Sequence, residues 1–319
     1  LYDGGAWAFG VGDGRVVVSG SRWSDGHGVW YSDDMATWTM ATVEQTPPTD
    51  STDPVGIGVL AHGSQGWVAA GSNQGGTDGT FWYSEDGTEW LLGKLNTPPA
   101  STSGWVVNSI TPGGPGWVAV GGLQRDGRIW VSDDGRSWDT IALPEFAEVT
   151  FYDVLEDDGT LTVIGRPQGR QRDTVAAPAD GVVALRWISQ DGLTWTPLPF
   201  QAEPVGPETH TISVNPETGQ QAALNQYGVW VSDDGSEWTE VASSSGIPPY
   251  THPSQEVVWI GDTMIGGTKW YIYESSDGGA TWARTGPTDL EFGHPRRLFT
   301  IGDNVIALAL TDIWIGTLE

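Results

Sequence analysis

One short pattern recurs along the 319-residue chain and limits what it can fold into: a Ser, an Asp two positions later, and a Trp four or five positions after that. It stands at Ser32-Asp34-Trp38, Ser84-Asp86-Trp90, Ser132-Asp134-Trp138, Ser189-Asp191-Trp195, Ser232-Asp234-Trp238 and Ser275-Asp277-Trp282. Two residues before each Ser lies an aromatic, at Trp30, Trp82, Trp130, Trp187, Trp230 and Tyr273, and Trp314 continues the series. Successive aromatics are 52, 48, 57, 43, 43 and 41 residues apart. A period of that length means one supersecondary unit repeated along the chain.

Each pattern reads as a tight turn between two strands. A short Asp side chain accepts hydrogen bonds from the N–H groups of its own turn. In five copies a Gly follows for a backbone that needs positive φ, and the Trp opens the next strand with a large apolar ring to bury. The first copy has Met35-Ala36 where the others have Gly, so its turn is expected to be strained or differently shaped. Apolar runs upstream supply two more strands per repeat, for example 6–11 and 15–21, or 105–110 and 116–122. The 45 glycines and 20 prolines break the chain too often for long helices or for an apolar membrane span. The expected fold is an all-β, seven-bladed β-propeller spanning 1–319 as one domain. Its blades fall near 5–46, 54–96, 104–144, 148–200, 207–243, 254–287 and 295–317. Only six fourth strands are available, so 1–3 are expected beside 313–316, or the last blade stays three-stranded.

These turns resemble the Asp boxes, or BNR repeats, of the sialidase-like propeller superfamily. Ser275, Asp277, Gly279, Thr281 and Trp282 carry the full pattern, and the other five copies are one residue shorter, as in secreted bacterial BNR proteins. The resemblance implies the propeller fold over nearly the whole chain. It does not imply sialidase activity: no F-R-I-P segment occurs, and the first strand, Ala6-Trp7-Ala8-Phe9-Gly10-Val11, has no Arg.

In an antiparallel meander the B–C and D–A connections share one end of every sheet, and the A–B and C–D turns share the other. The Ser-x-Asp turns belong to the second end. Nine of the fourteen Lys and Arg map to the first end, as do His27, His210, His252 and His294. The expected ligand site is there, built from Arg22, Trp23, His27, Arg170, Arg172, His210, Tyr250, His252, Lys269, His294 and Arg296. The segment from Arg166 to Asp180 is the expected lid or partner loop. Arg side chains grip carboxylate and sulfate through two parallel hydrogen bonds, so the expected ligand is a glycan or another anionic small molecule.

A net charge of −27 argues against nucleic acid, which is bound by neutralising phosphate, and against insertion into an anionic membrane. Cysteine is absent, the histidines lack metal-ligand spacing, and no nucleophile elbow, P-loop or dinucleotide fingerprint occurs. No cofactor, metal or catalytic residue is therefore assigned. Two alternatives stay open. One is a glycosidase or polysaccharide lyase using His252, His294 and Tyr250, or a carboxylate pair drawn from Asp289, Glu291, Asp25 and Glu208. The other is a protein–protein scaffold. Fold type and acidity give secreted or cell-surface as the expected location.

Overall fold

The computed structural model describes residues 4–22, 26–44, 56–72, 79–96, 105–123, 126–167, 186–198, 212–225, 228–235, 237–243, 257–267, 272–285, 297–301, 304–308 and 313–317. The chain divides into two compact units, 3–200 and 201–319. In the first unit β1 (Gly4–Gly12), β2 (Arg15–Arg22), β3 (Gly26–Ser32) and β4 (Thr39–Met40) form one antiparallel sheet in that order, and β5 (Thr42–Val43) follows. The second sheet is β6 (Gly56–Gly63), β7 (Gly66–Ser72), β8 (Gly79–Ser84) and β9 (Glu89–Leu92), followed by β10 (Lys94–Leu95). The third is β11 (Trp105–Gly113), β12 (Gly116–Leu123), β13 (Asp126–Ser132) and β14 (Ser137–Ile141). The fourth is β15 (Val149–Asp157), β16 (Thr160–Pro167), β17 (Arg186–Ser189) and β18 (Thr196–Leu198).

The second unit repeats the meander. It holds β19 (Ile212–Val214), β20 (Gln221–Asn225), β21 (Gly228–Ser232) and β22 (Thr239–Ser243), then β23 (Val257–Ile260), β24 (Thr263–Gly267), β25 (Ile272–Ser275) and β26 (Ala283–Thr285). The last sheet, β27 (Arg297–Ile301), β28 (Asn304–Leu308) and β29 (Ile313–Thr317), has three strands among the described residues. The expectation of seven blades is thereby corrected. The fold is all-β with a six-bladed β-propeller arrangement: among the described residues six sheets complete the four-strand meander and the seventh does not. The aromatic series counts third strands, and Trp314 is followed by no Ser-x-Asp turn and, among the described residues, by no fourth strand. Residues 1–3, expected to complete that sheet, lie outside the described residues.

Second strands are buried on both faces, and so read as unbroken apolar runs. Val16, Val17 and Val18, and likewise Val118, Ala119 and Val120, are buried throughout. Between the first two sheets Val17 and Val29 pack with Ile57, Leu60, Trp67 and Trp90. Between the second and third, Val68 and Phe81 pack with Trp117, Trp130 and Trp138. Between the third and fourth, Val118 and Val131 pack with Phe151, Trp187 and Trp195. The turn Trp of the second, third and fourth sheets therefore faces the sheet before it. Trp90, Trp138 and Trp195 are buried as expected, whereas Trp38, Trp238 and Trp282 are only half-buried.

The turns share one hydrogen-bond plan. At Ser132 the hydroxyl accepts from Gly135 N (2.9 Å), and Asp134 Oδ1 accepts from Arg136 N (2.8 Å) and Ser137 N (2.9 Å). Trp138 Nε1 donates to Gly135 O (3.0 Å). In the copy without glycine, Asp34 Oδ1 still accepts from Ala36 N (2.8 Å) and Thr37 N (2.6 Å). Met35 takes φ 58° where Gly135 takes 71°. The turn keeps its shape, and the strain falls on a methionine in left-handed backbone.

Two further strands were not expected. β5 pairs in parallel with β9, and β10 with β14, so each chain segment leaving one sheet covers the outer edge of the next. Covered edges do not recruit other chains. Before the fourth sheet stands a 3₁₀ turn, Pro144–Phe146, which buries Phe146 against Phe151 and Trp187.

Candidate ligand-binding site

The leading strands of the first unit, β1, β6, β11 and β15, each form one edge of their sheet and lie beside one another in that order. Each carries a β-bulge at the same register. The ladder with the second strand skips one residue between Ala6 and Ala8, between Ile57 and Val59, between Val107 and Ser109, and between Phe151 and Asp153. The extra residues are Trp7, Gly58, Asn108 and Tyr152. A bulge sets two residues against one, re-aims a side chain, and is common beside functional sites. Trp7 is 36 % exposed, a large value for an indole within a strand. Gly58 is exposed, and Asn108 and Tyr152 are half-buried.

The bulges also release backbone carbonyls, which side chains of the preceding sheet capture. Ser19, fully buried, donates from Oγ to Ile57 O (2.7 Å) and accepts from Ala8 N (3.2 Å). Asn108 Nδ2 donates to Phe151 O (2.6 Å). Beside it Ser109 Oγ donates to Asp153 Oδ1 (2.6 Å), which also accepts from Val154 N (3.0 Å). These bonds tie the first sheet to the second and the third to the fourth along the line. It offers an indole, an open stretch of backbone, an amide and a phenol. It lies toward the end where leading strands begin and second strands finish, since Gly4 pairs with Arg22, Trp105 with Leu123, and Val149 with Pro167.

Arg22 and His27, expected in or near a loop, lie in paired strands, Arg22 opposite Gly26 and His27 opposite Ser21. Trp23, Arg170, Arg172, His210, Tyr250, His252, Lys269, His294 and Arg296 lie outside the described residues, as do Asp25, Glu208, Asp289 and Glu291. β16 extends the ordered strand past Arg166 to Pro167, so the segment expected as a loop begins later. Arg128 is held by its own strand: Nη1 donates to Gly127 O (2.8 Å) and Nη2 meets Asp126 Oδ2 at 3.5 Å.

The opposite end is acidic and cross-linked. Arg15 Nε and Nη2 donate to Asp33 (2.7 and 3.0 Å), and Nη1 donates to Asp86 O of the second sheet (2.6 Å). Its guanidinium lies 4.7 Å over the Tyr31 ring. Arg136 of the third sheet reaches Glu85 (3.0 Å) and lies over Tyr83 (4.5 Å). The Arg15 hydrogen bond holds the Asp33 carboxyl below its ordinary range. Turn N–H groups push Asp34 and Asp191 down to about 2. At Asp277 the Thr281 hydroxyl leads and the Thr281 N–H adds, again to about 2. Arg186, deep in β17, has its pKa lowered by burial. Among the described residues no three His, Asp or Glu side chains converge as a metal site, and no helix is long and apolar enough to cross a membrane.

No family model and no curated protein matches the sequence. Solved structures do match. The chain is similar to YCF48 bound to D1 peptide at 14 % identity and TM-score 0.64, covering 100 % of this chain and 94 % of that one. It is similar to virginiamycin B lyase from Staphylococcus aureus at 14 % identity and TM-score 0.64, covering 99 % and 96 %. An ancestral GH74 enzyme matches at 14 % identity and TM-score 0.64, over 100 % of this chain but 45 % of its own. These likenesses establish a β-propeller fold. The neighbours that share it are enzymes and binding proteins, so the fold alone assigns no activity.

Proposed function

We propose that this protein is a ligand-binding β-propeller that takes a carboxylated or sulfated glycan along the bulge line of its first unit. The observation that carries the reading is the shared register of four bulges on four adjacent leading strands. A fold needs no such repetition for stability, because every bulge gives up ladder pairing. The indole of Trp7 suits the C–H face of a sugar ring. Arg22, Trp23, His27, Arg170 and Arg172 belong, in this reading, to the same end and grip the anionic groups. His210, Tyr250, His252, Lys269, His294 and Arg296 are the corresponding set of the second unit. The Ser-x-Asp turns are then Asp boxes on the opposite end, and the protein is secreted or displayed at a cell surface. The peptide carried by the YCF48 neighbour supports a second reading, in which an extended peptide occupies the line.

A panel of galacturonate, glucuronate, sialylated, sulfated and neutral oligosaccharides, with an unstructured peptide beside them, tests the proposal by calorimetric titration. Binding of an anionic member is expected. Trp7→Ala is expected to weaken it about tenfold, equivalent to about 1.4 kcal/mol, without changing the melting temperature by more than a degree or two. Binding of the peptide alone, or anionic-sugar binding that Trp7→Ala leaves intact, refutes the reading.

A further inference from the structure

Of the four bulge residues Gly58 is the glycine, and the fold does not require a glycine there. Its φ lies outside the left-handed region, and a Cβ built on it meets nothing within 4 Å. Gly14, Gly159, Gly261 and Gly278 have equally open surroundings, but each adopts a positive φ that favours glycine. Gly10, by contrast, is held small by Trp67, whose Cζ3 would lie 2.8 Å from an added Cβ. Gly58 is under neither constraint. Its neighbours at the same register, Trp7 on β1 and Asn108 on β11, carry full side chains, so the position accommodates one.

Glycine inside a strand has a cost, because it loses more backbone freedom on folding than any other residue and packs nothing. Where local geometry does not demand it, such a glycine commonly marks a close approach by a ligand or another backbone. Here the gap is flanked by an exposed indole on one side. On the other is an amide whose Nδ2 is committed to Phe151 O, which leaves Oδ1 as the acceptor it presents.

We infer that Gly58 is the floor of a saccharide subsite: one pyranose ring lies on the β6 backbone at Gly58, its apolar face toward Trp7 and a hydroxyl donated to Asn108 Oδ1. The inference rests on the glycan reading above and makes it specific. The missing side chain selects for a flat ring at this position, and the ring needs no charge, since Trp7, Gly58, Asn108 and Tyr152 are all neutral. Anionic groups of the same glycan are read elsewhere.

Gly58→Ala and Gly58→Leu test it, titrated with the oligosaccharide of the panel that the unaltered protein binds. Both variants are expected to melt at or above the temperature of the parent, since an added Cβ has open space and glycine's unfolded-state freedom is removed. Gly58→Leu is expected to weaken binding at least tenfold and Gly58→Ala about threefold. If both variants bind within twofold of the parent while Trp7→Ala loses binding, the glycan site stands and the Gly58 subsite is overturned. If the unaltered protein binds no sugar of the panel, both readings fall together. Should Gly58→Leu melt early, the Ala variant decides: reduced affinity at an unchanged melting temperature supports the subsite, and unchanged affinity overturns it.

Discussion

Alanine at position 135 would face two separate obstacles that the structure lets one weigh. Gly135 stands at φ 71°, where an L side chain costs about 1–2 kcal/mol. A Cβ there would lie 2.8 Å from Val68 Cγ2 in the preceding sheet, and overpacking of that kind costs about 1–3 kcal/mol. Against these, Ala restricts the unfolded chain and returns about 0.4–1 kcal/mol. The balance for Gly135→Ala is a loss of about 1–5 kcal/mol. Gly14→Ala isolates the backbone part, because φ is 75° and nothing lies within 4 Å of the added atom, so the loss should be only about 1 kcal/mol. Met35→Gly runs the other way. Met35 already bears a left-handed φ of 58°, and relieving it should stabilise by up to about 1 kcal/mol after glycine's entropy is counted. Urea midpoints followed by tryptophan fluorescence, compared at a common slope, measure all three. Equal losses for Gly135→Ala and Gly14→Ala would show that the turn does not press on the neighbouring sheet. A Met35→Gly midpoint below the parent's would show that the methionine is unstrained or makes contacts worth more than its strain.

Acid should destabilise the protein in a defined window. Asp34, Asp191 and Asp277 titrate at about 2 in the fold against an ordinary 3.8, so their contribution is complete above pH 4 and disappears as pH falls toward 2. Asp191→Asn keeps an acceptor but not the charge; it should lower the melting temperature at pH 6 and flatten its decline between pH 4 and 2, and an undiminished decline would assign the acid limb to other groups. Trp138→Ala removes a ring that stacks on Phe81 at 4.1 Å and donates to Gly135 O; a loss of about 3–5 kcal/mol by denaturant titration is expected, and less than 2 would mean the sheets close over the gap.

The Ser-x-Asp turns and the buried third-strand aromatics were legible because each is a local device. Ser132, Asp134 and Trp138 satisfy one another within a few residues, so spacing alone reports the hydrogen bonds. What the sequence hid was non-local. Parallel pairing of Thr42–Val43 and Lys94–Leu95 with the next sheet has no periodic signature at two residues' length. The number of complete blades depends on whether a fourth strand pairs behind β29, and an aromatic count at the third strand is silent on that. The bulge line lies between these cases. A regular strand buries every second residue, yet Ile57 and Leu60, Val107 and Ile110, and Phe151 and Val154 are buried three apart. Such spacing within a run too short and too β-branched for a helix requires one extra residue on the strand. Read that way, the apolar pattern of each leading strand marks its own bulge. The histidines and arginines drew attention by their charge, but the neutral residues at 7, 58, 108 and 152 are the ones whose placement the folded chain repeats.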